Sequence, residues 1–285
     1  MQMMRDDFGV FILSHGRPGR VKTLKSLEKG RYTGKWWIVI DNEDDTAPEY
    51  YKRYKDRVIM FDKLEVSKTF DTADTSQERR TIVYARNACF AIAKELGLEY
   101  FLELDDDYTS FGYRVIRDKK FIEIAAKQLD DLFSAMINFL DDTGAITVAF
   151  AQSGDFIGGK DSKFYHDKVS RKAMNTFFCR VSSPFQFVGR INEDVNTYTS
   201  LGSKGKLILT ISDASITQVQ TQAGKGGMTD VYLDSGTYLK TFYTVIFSLS
   251  CTKVGMMGDK HKRIHHMIDW DRCVPKILNE KWKKT

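Results

Sequence analysis

Tyr84-Ala-Arg-Asn-Ala-Cys-Phe-Ala-Ile-Ala-Lys-Glu-Leu-Gly-Leu-Glu-Tyr-Phe-Leu-Glu-Leu-Asp-Asp-Asp-Tyr108 is the stretch from which the fold is read. Ile82, Ala85, Cys89, Ile92 and Leu96 recur at helical spacing and predict a helix over about Ser76 to Leu96, with Gly97 as its C-cap. Tyr100 to Leu104 then reads as a strand that runs straight into Asp105, Asp106 and Asp107. A helix feeding through glycine into such a strand is the rhythm of an α/β sheet.

Upstream, the same pattern repeats. Gly9–Leu13, Trp36–Ile40 and Val58–Phe61 read as strands. They run into Ser14-His-Gly-Arg-Pro-Gly-Arg20, Asp41-Asn-Glu-Asp-Asp45 and Asp62-Lys63 respectively. A basic helix carrying Val21, Leu24 and Leu27 follows the first, and a long polar segment, Leu64 to Arg80, follows the third. Ligands of open α/β sheets bind outside the carboxyl ends of the strands, so four polar strand ends predict one site.

Downstream, the expectation is a helix over about Ile122–Asp141, a strand at Ala145–Phe150 and a Gly/Asp loop at Ser153–Asp161. A strand near Phe177, a short helix opened by Arg190-Ile-Asn-Glu-Asp194 and a strand at Lys206–Ile211 follow. A glycine-rich loop at Gln222–Asp230, a helix over about Ser235–Leu249 and an aromatic, basic tail complete the chain. No linker interrupts it, so the fold class expected is α/β, one domain over 1–285 with a mixed, mostly parallel sheet flanked by helices.

Of the 285 residues, 42% are hydrophobic and 13% aromatic, which excludes a disordered or repeat chain. The apolar runs Phe8–Leu13 and Val245–Cys251 are far below the roughly 20 residues of a membrane helix, and the first is too short for a secretion signal. Cys89, Cys179, Cys251 and Cys273 form no CxxC pair, which predicts a reduced, cytoplasmic chain without structural zinc. The formal charge of +5 is mild but uneven. Arg17 to Lys35 holds seven Lys/Arg against one Glu, and Lys253 to Thr285 nine against four acids. Such basic ends are solvated faces or the footprint of a polyanion.

Three carboxylates at a strand end repel one another unless a cation neutralises them. Asp105, Asp106 and Asp107 therefore read as a hard oxygen site for Mg²⁺ or Mn²⁺ that also takes phosphate, or as a solvated turn with Asp107 capping a helix. Arg79 and Arg86, seven residues apart and about 20° apart around a helix, either face this crevice or lie on the surface. Glu193-Asp194 offers a carboxylate base for a hydroxyl proton, or two acids that favour a helix dipole behind an Asn192 cap. The Gln222–Asp230 loop is either a phosphate clamp using Lys225 or a glycine-rich turn.

Tyr84-Ala-Arg-Asn87, its helix and Phe101-Leu-Glu-Leu-Asp-Asp-Asp107 resemble the helix–strand–DxD unit of GT-A glycosyltransferases. Ser14-His-Gly-Arg-Pro18 and Asp41 sit where that family holds the nucleotide, and a Glu-Asp pair opening a short helix looks like its catalytic-base motif. The resemblance narrows with Arg190-Ile-Asn-Glu-Asp-Val-Asn-Thr-Tyr198, Gly202-Ser-Lys-Gly205 and the Gln222–Asp230 loop, in that order. These look like the TET-associated glycosyltransferases of phages, over roughly Phe8 to Ile268.

The resemblance implies transfer from a UDP-sugar donor to hydroxymethylated pyrimidines, cytosine first, in double-stranded DNA, in the host cytoplasm if phage-encoded. It implies Ser14, Arg17, Asp41, Arg86, Asp105, Asp106 and Lys225 at the donor, and Asp105 and Asp107 at Mn²⁺ or Mg²⁺. GT-A enzymes often take a third metal ligand from a C-terminal histidine, which makes His265 a candidate, with His261 on the same face. Asp194 is the expected base beside Glu193, with inversion. Residues 1–108 would form the nucleotide-sugar half and 109–285 the acceptor half with its basic tail. No protein or membrane partner is expected. The competing readings are a GT-A enzyme on a glycan, lipid or protein acceptor, a nucleotidyltransferase, and a non-catalytic DNA-binding protein on the same fold.

Overall fold

The computed structural model describes residues 3–75, 77, 79–218, 229–258 and 262–275. In chain order it contains β1 (Phe8–Leu13), α1 (Lys22–Lys29), β2 (Lys35–Asp41), α2 (Ala47–Tyr54), β3 (Val58–Phe61), α3 (Lys63–Ser67), α4 (Val83–Glu95) and β4 (Tyr100–Asp105). There follow β5 (Tyr108–Arg117), β6 (Lys120–Ala125), α5 (Leu129–Thr143), β7 (Thr147–Ala151), α6 (Lys163–Asp167), β8 (Val169–Ser170) and β9 (Phe177–Arg180). The chain closes with α7 (Glu193–Gly202), β10 (Ile208–Gln218), α8 (Thr229–Phe247), β11 (Thr252–Met257) and β12 (Arg263–Ile268).

Ten strands form one mixed sheet in the order β3-β2-β1-β4-β9-β7-β10-β5-β6, with β8 on β10, while β11 and β12 make a separate hairpin. β3, β2, β1 and β4 are parallel, as are β7 and β10. β9 runs antiparallel between β4 and β7. The α/β expectation holds, in a mixed sheet flanked by helices. Register places Leu13 opposite both Val39 and Asp105, and Asp41 opposite Phe61. The carboxyl ends of the four parallel strands therefore form one rim.

All six residues of β1 are buried, as a strand covered on both faces requires. Its side chains alternate between two cores. Val10 and Ile12 join Leu102, Leu104 and the α5 residues Leu129, Phe133 and Ile137. Phe11 and Leu13 join Phe101 and the α4 residues Tyr84, Ala88, Cys89 and Ile92. Phe133 meets the rings of Phe8, Phe111, Phe150 and Phe178 at centroid distances of 5.6 to 6.1 Å.

Two of the differences from the sequence expectation bear on the site and the sheet. Ile122–Ala125 is strand, and the helix starts only at Leu129. Asp118 and Lys119 both adopt positive φ, 50° and 61°, the backbone of a tight two-residue hairpin turn. The turn pairs β5 with β6, so the β-branched and aromatic residues Val115, Ile116, Phe121 and Ile122 extend the sheet. The second difference is α4, which begins at Val83 rather than near Ser76. The preceding segment is strapped across the rim, where the carbonyls of Asp71 and Thr72 accept from the amides of Gly189 and Arg190 at 2.7 and 3.0 Å. Gly97, at φ +68°, follows α4 as expected. Among the described residues no helix is long and apolar enough to cross a membrane.

Candidate active site

Alternation along β4 divides the acidic rim. Glu103 and Asp105 face α4, whereas Asp106 turns to the opposite side, toward α1. Arg86 stands one turn into α4 and is 1% exposed. Its Nη2 lies 3.3 Å from Asp105 Oδ1, its Nε 3.3 Å from Glu193 Oε1, and its Nη1 3.6 Å from Glu103 Oε2. The guanidinium also lies 4.7 Å from the Phe177 ring centroid and 5.7 Å from that of Phe187. Burial disfavours its charge, but Asp105, Glu193 and Glu103 outweigh burial and hold its pKa above the ordinary value. Burial pushes Asp105 up to about 7 and Glu103 up to about 8, against the pull of Arg86. Glu103 is wholly buried, and neither of its carboxylate oxygens has a hydrogen-bond partner.

Asp106, 1% exposed, accepts a 2.6 Å bond from Ser14 Oγ and pairs with Arg17 Nη2 at 3.0 Å. Tyr50 braces both partners, with its hydroxyl 2.7 Å from Ser14 Oγ and accepting from the Arg17 amide at 2.9 Å. The amides of Lys22 and Thr23, opening α1, donate to the Asp106 carbonyl at 2.7 and 3.2 Å. Thr23 Oγ1 donates to the Asp105 carbonyl at 2.6 Å. Asp107 is half-buried in the same turn and leads into β5, so it caps no helix. Burial raises the pKa of both Asp106 and Asp107, and Arg17 opposes the rise.

Asp41 closes the rim on the other side. His15 Nδ1 lies 2.8 Å from its Oδ2, and Lys63 Nζ lies 3.1 Å from its Oδ1. Burial would raise the Asp41 pKa, but His15 and Lys63 carry it below the usual carboxylate range. The hydrogen bond to Asp41 raises His15 in turn. Gly16 N donates to Asp44 Oδ2 at 2.7 Å, which pins the β1 loop to the β2 loop. Both Asp41 oxygens are thus engaged within the protein.

Glu193 and Asp194 open α7. Burial, followed by the charge of Glu193, raises Asp194 to about 7. Asn192 does not cap the helix with its side chain. It sits in the left-handed region at φ 56°, and its Nδ2 donates to the Lys240 carbonyl at 2.6 Å and Thr244 Oγ1 at 3.1 Å on α8. Its amide also lies 3.5 Å from His266 Nδ1. Arg190 reaches Asp74 at 2.9 Å and so fastens the segment before α4 to the start of α7.

The structure thus assembles Ser14, Arg17 and Asp106 in one cluster, and Arg86, Asp105 and Glu193 in a second that shares the same turn. Asp41 stands beside them on the rim. Arg79 does not share a helical face with Arg86, because it precedes α4, and it pairs with Glu43 at 2.6 Å. His265 lies on β12 opposite Gly255, stacked on His266 at 4.3 Å. Lys225, His261 and most of the Gln222–Asp230 loop lie outside the described residues. Glu103, His15 and Lys63 are site residues that the sequence reading did not single out. Each was flanked by a signal: His15 and Lys63 follow strands, and Glu103 lies two residues before Asp105 on the same strand face.

The acidic turn suits a hard divalent cation. Asp106 and Asp107 raise the pKa of Asp105, and Asp107 raises that of Asp106, a repulsion that a cation would relieve. Among the described residues no group of three or more His, Cys, Asp and Glu is arranged to hold a metal by itself. Remaining ligands would have to be phosphate and water oxygens, the usual habit of Mg²⁺ and Mn²⁺ at nucleotide sites.

The family model described as TET-Associated Glycosyltransferase matches residues 8–227 of this chain. The match takes in the rim, α4, the acidic turn and α7. Among curated proteins none matches the chain.

Proposed function

The chain belongs to the TET-associated glycosyltransferase family, and from that premise we propose that it moves a sugar from a UDP-sugar to the hydroxymethyl group of a 5-hydroxymethylpyrimidine, cytosine first, in double-stranded DNA. The observation that carries this reading is the Arg86 bridge, which ties Asp105 at the end of β4 to Glu193, the neighbour of Asp194 at the start of α7.

Asp194, with its raised pKa, takes the proton of the acceptor hydroxyl as that oxygen bonds to the anomeric carbon. The bond from the anomeric carbon to the UDP oxygen breaks, and UDP leaves with its electron pair. Attack opposite the leaving group inverts the anomeric centre. Arg17, in the loop after β1 and paired with Asp106, supplies positive charge toward the diphosphate, while Arg86 fixes Asp105 and Glu193. Asp105 and Asp107 would hold Mn²⁺ or Mg²⁺, which when bound neutralises charge on the departing diphosphate. Asp41, poised by His15 and Lys63, faces the nucleoside end of the donor.

The exposed Arg17, Arg20, Lys22, Lys25 and Lys29 on and before α1 support a DNA acceptor, because a phosphate backbone favours such a basic strip beside the rim. The reaction belongs to the cytoplasm, where DNA and nucleotide sugars meet. Mass spectrometry of nucleosides from hydroxymethylcytosine DNA, incubated with the protein, Mn²⁺ and pooled UDP-sugars, tests the proposal. A hexose, pentose or N-acetylhexosamine mass on the modified nucleoside is the expected result. Unshifted hydroxymethylcytosine and hydroxymethyluracil alike would overturn the DNA acceptor.

A further inference from the structure

Glu103 is an acid where packing alone asks for none. It is fully buried on β4, paired in register with Phe11 of β1 on one side and Phe177 of β9 on the other. The Cys89 thiol, one turn along α4 from Arg86, also stands beside it. A carboxyl buried without a hydrogen bond carries a desolvation cost that an apolar residue of similar volume would not. Neither oxygen of Glu103 has a hydrogen-bond partner, nor does Arg86 Nη1, which stands 3.6 Å from Oε2. A buried donor and a buried acceptor thus face each other just out of bonding range.

The three carboxylates around Arg86 differ in what else they can reach. The side chains of Asp105 and Glu193, each 3.3 Å from the guanidinium, are 21% and 14% exposed and border the crevice. Glu103 is 0% exposed and holds the core side. All three contacts are longer than the usual N–H···O length of about 2.9 Å, so the guanidinium has slack toward each.

We propose that Glu103 is a positioning residue for sugar transfer: it retains Arg86 from the core side when Asp105 turns toward a cation and diphosphate, and so keeps Glu193 and the start of α7 in place. A shift of about 0.7 Å brings the 3.6 Å pair to hydrogen-bond length, which satisfies both orphaned groups at once. The crevice-facing arm is thereby free to exchange partners without releasing α7. The role in transfer rests on the sugar-transfer reading, whereas the hold of Glu103 on Arg86 does not.

Two measurements on the full chain test it. The first is a double-mutant cycle over Glu103→Met and Arg86→Met, read by urea unfolding. In the parent, Glu103→Met should leave the midpoint unchanged or raise it, because Arg86 keeps two carboxylates and methionine fills the space with nothing to desolvate. In the Arg86→Met background, where Glu103 has lost its cation, the same change should raise the midpoint clearly more. Equal shifts in both backgrounds would show that Glu103 does not act on Arg86 and would overturn the proposal.

The second is steady-state transfer from the UDP-sugar. In Glu103→Met, kcat should fall on the order of 10–100-fold, the range lost when a partner that orients a site residue is removed, with KM for the donor little changed. Glu103→Gln, which keeps an oxygen opposite Nη1, should recover most of that loss. Parental kcat in Glu103→Met, or a loss that follows a lowered midpoint and is not recovered in Glu103→Gln, would make Glu103 a packing residue only. A parent inert toward hydroxymethylated cytosine and uracil alike would remove the sugar-transfer reading, and the cycle alone would then decide whether Glu103 holds Arg86.

Discussion

Arg86 and Glu193, 107 positions apart in the chain, meet at 3.3 Å between Nε and Oε1. Through this pair the helix before the acidic turn and the helix carrying Asp194 become one structure, with Asp105 on the other arm of the same guanidinium. Three carboxylates share one buried cation. Removal of that cation leaves them mutually repelling in a site that water barely enters.

Arg86→Met should therefore cost stability as well as turnover. Breaking a buried ion pair from one side typically costs about 3–5 kcal/mol. Urea unfolding followed by circular dichroism is expected to show a loss of that order. A variant as stable as the parent would contradict the role of Arg86 as the tie between α4, β4 and α7.

Asp107→Asn should abolish metal-dependent turnover while leaving the fold intact, because Asp107 is half-buried in a turn rather than embedded in the core. Sugar transfer measured across a Mn²⁺ titration, with thermal denaturation as the control, checks this. Turnover that persists at parental metal concentrations would remove Asp107 from the metal site.

Asp194→Asn should lower turnover on the order of 10²–10⁴-fold with little change in stability, the range lost with a positioned base. A base must be deprotonated to act. With Asp194 raised to about 7 by burial and by Glu193, turnover should climb as pH rises through about 7 and level off above it. A pH–rate profile lacking that rising limb, or a limb retained in Asp194→Asn, would assign the proton to another group.

His15 gives a stability test of the opposite sign. Its folded-state pKa is raised by Asp41, so protonated His15 stabilises the native state below its unfolded pKa of about 6.5. That contribution is lost as pH rises through the folded value. The stability difference between the parent and His15→Gln should thus be largest near pH 6 and shrink above neutrality. The side chain is about half exposed, so solvent screening limits the effect to about 1 kcal/mol or less. A difference that grows with pH would exclude the His15–Asp41 pair as its source.

Gly189 is a structural check on the strap. Its φ is +82°, and a Cβ there would meet Asn196 Nδ2 at 2.3 Å and Phe247 Cε2 at 2.7 Å. Gly189→Ala should lower the thermal midpoint, through both backbone strain and displacement of α8 from α7. An unchanged midpoint would mean that the contact yields freely.

Much of this was legible in the chain. Buried strands that end on polar clusters follow from period-two and short apolar runs, so β1 to β4 and their shared rim could be read residue by residue. Helical spacing located α4, and its end at Gly97, from side chains alone. The start of α4 could not be read, because the polar residues before it are compatible with helix, and contacts with distant parts of the chain, Arg79 with Glu43 and Asp74 with Arg190, hold that segment instead. The stretch Ile122–Ala125 was misread as helix for a related reason. A short apolar run suits either element, and the hairpin turn that decides it is made by Asp118 and Lys119 in place of the usual glycine.

Sequence by itself determined the residue types at the rim: carboxylates at the end of β4, an arginine one helix upstream, an acidic pair opening a later helix. Local periodicity and turn chemistry act over a few residues, so those assignments needed no partner. Tertiary structure alone decided which charges meet. Asp105 and Asp106 are neighbours in the chain, yet strand alternation sends one to Arg86 and the other to Ser14 and Arg17. Arg79 and Arg86, matched in sequence, are parted because only one of them is helical. Glu103, His15 and Lys63 acquire their roles by desolvation and by charges brought from distant strands, terms that exist only once the sheet has closed the rim.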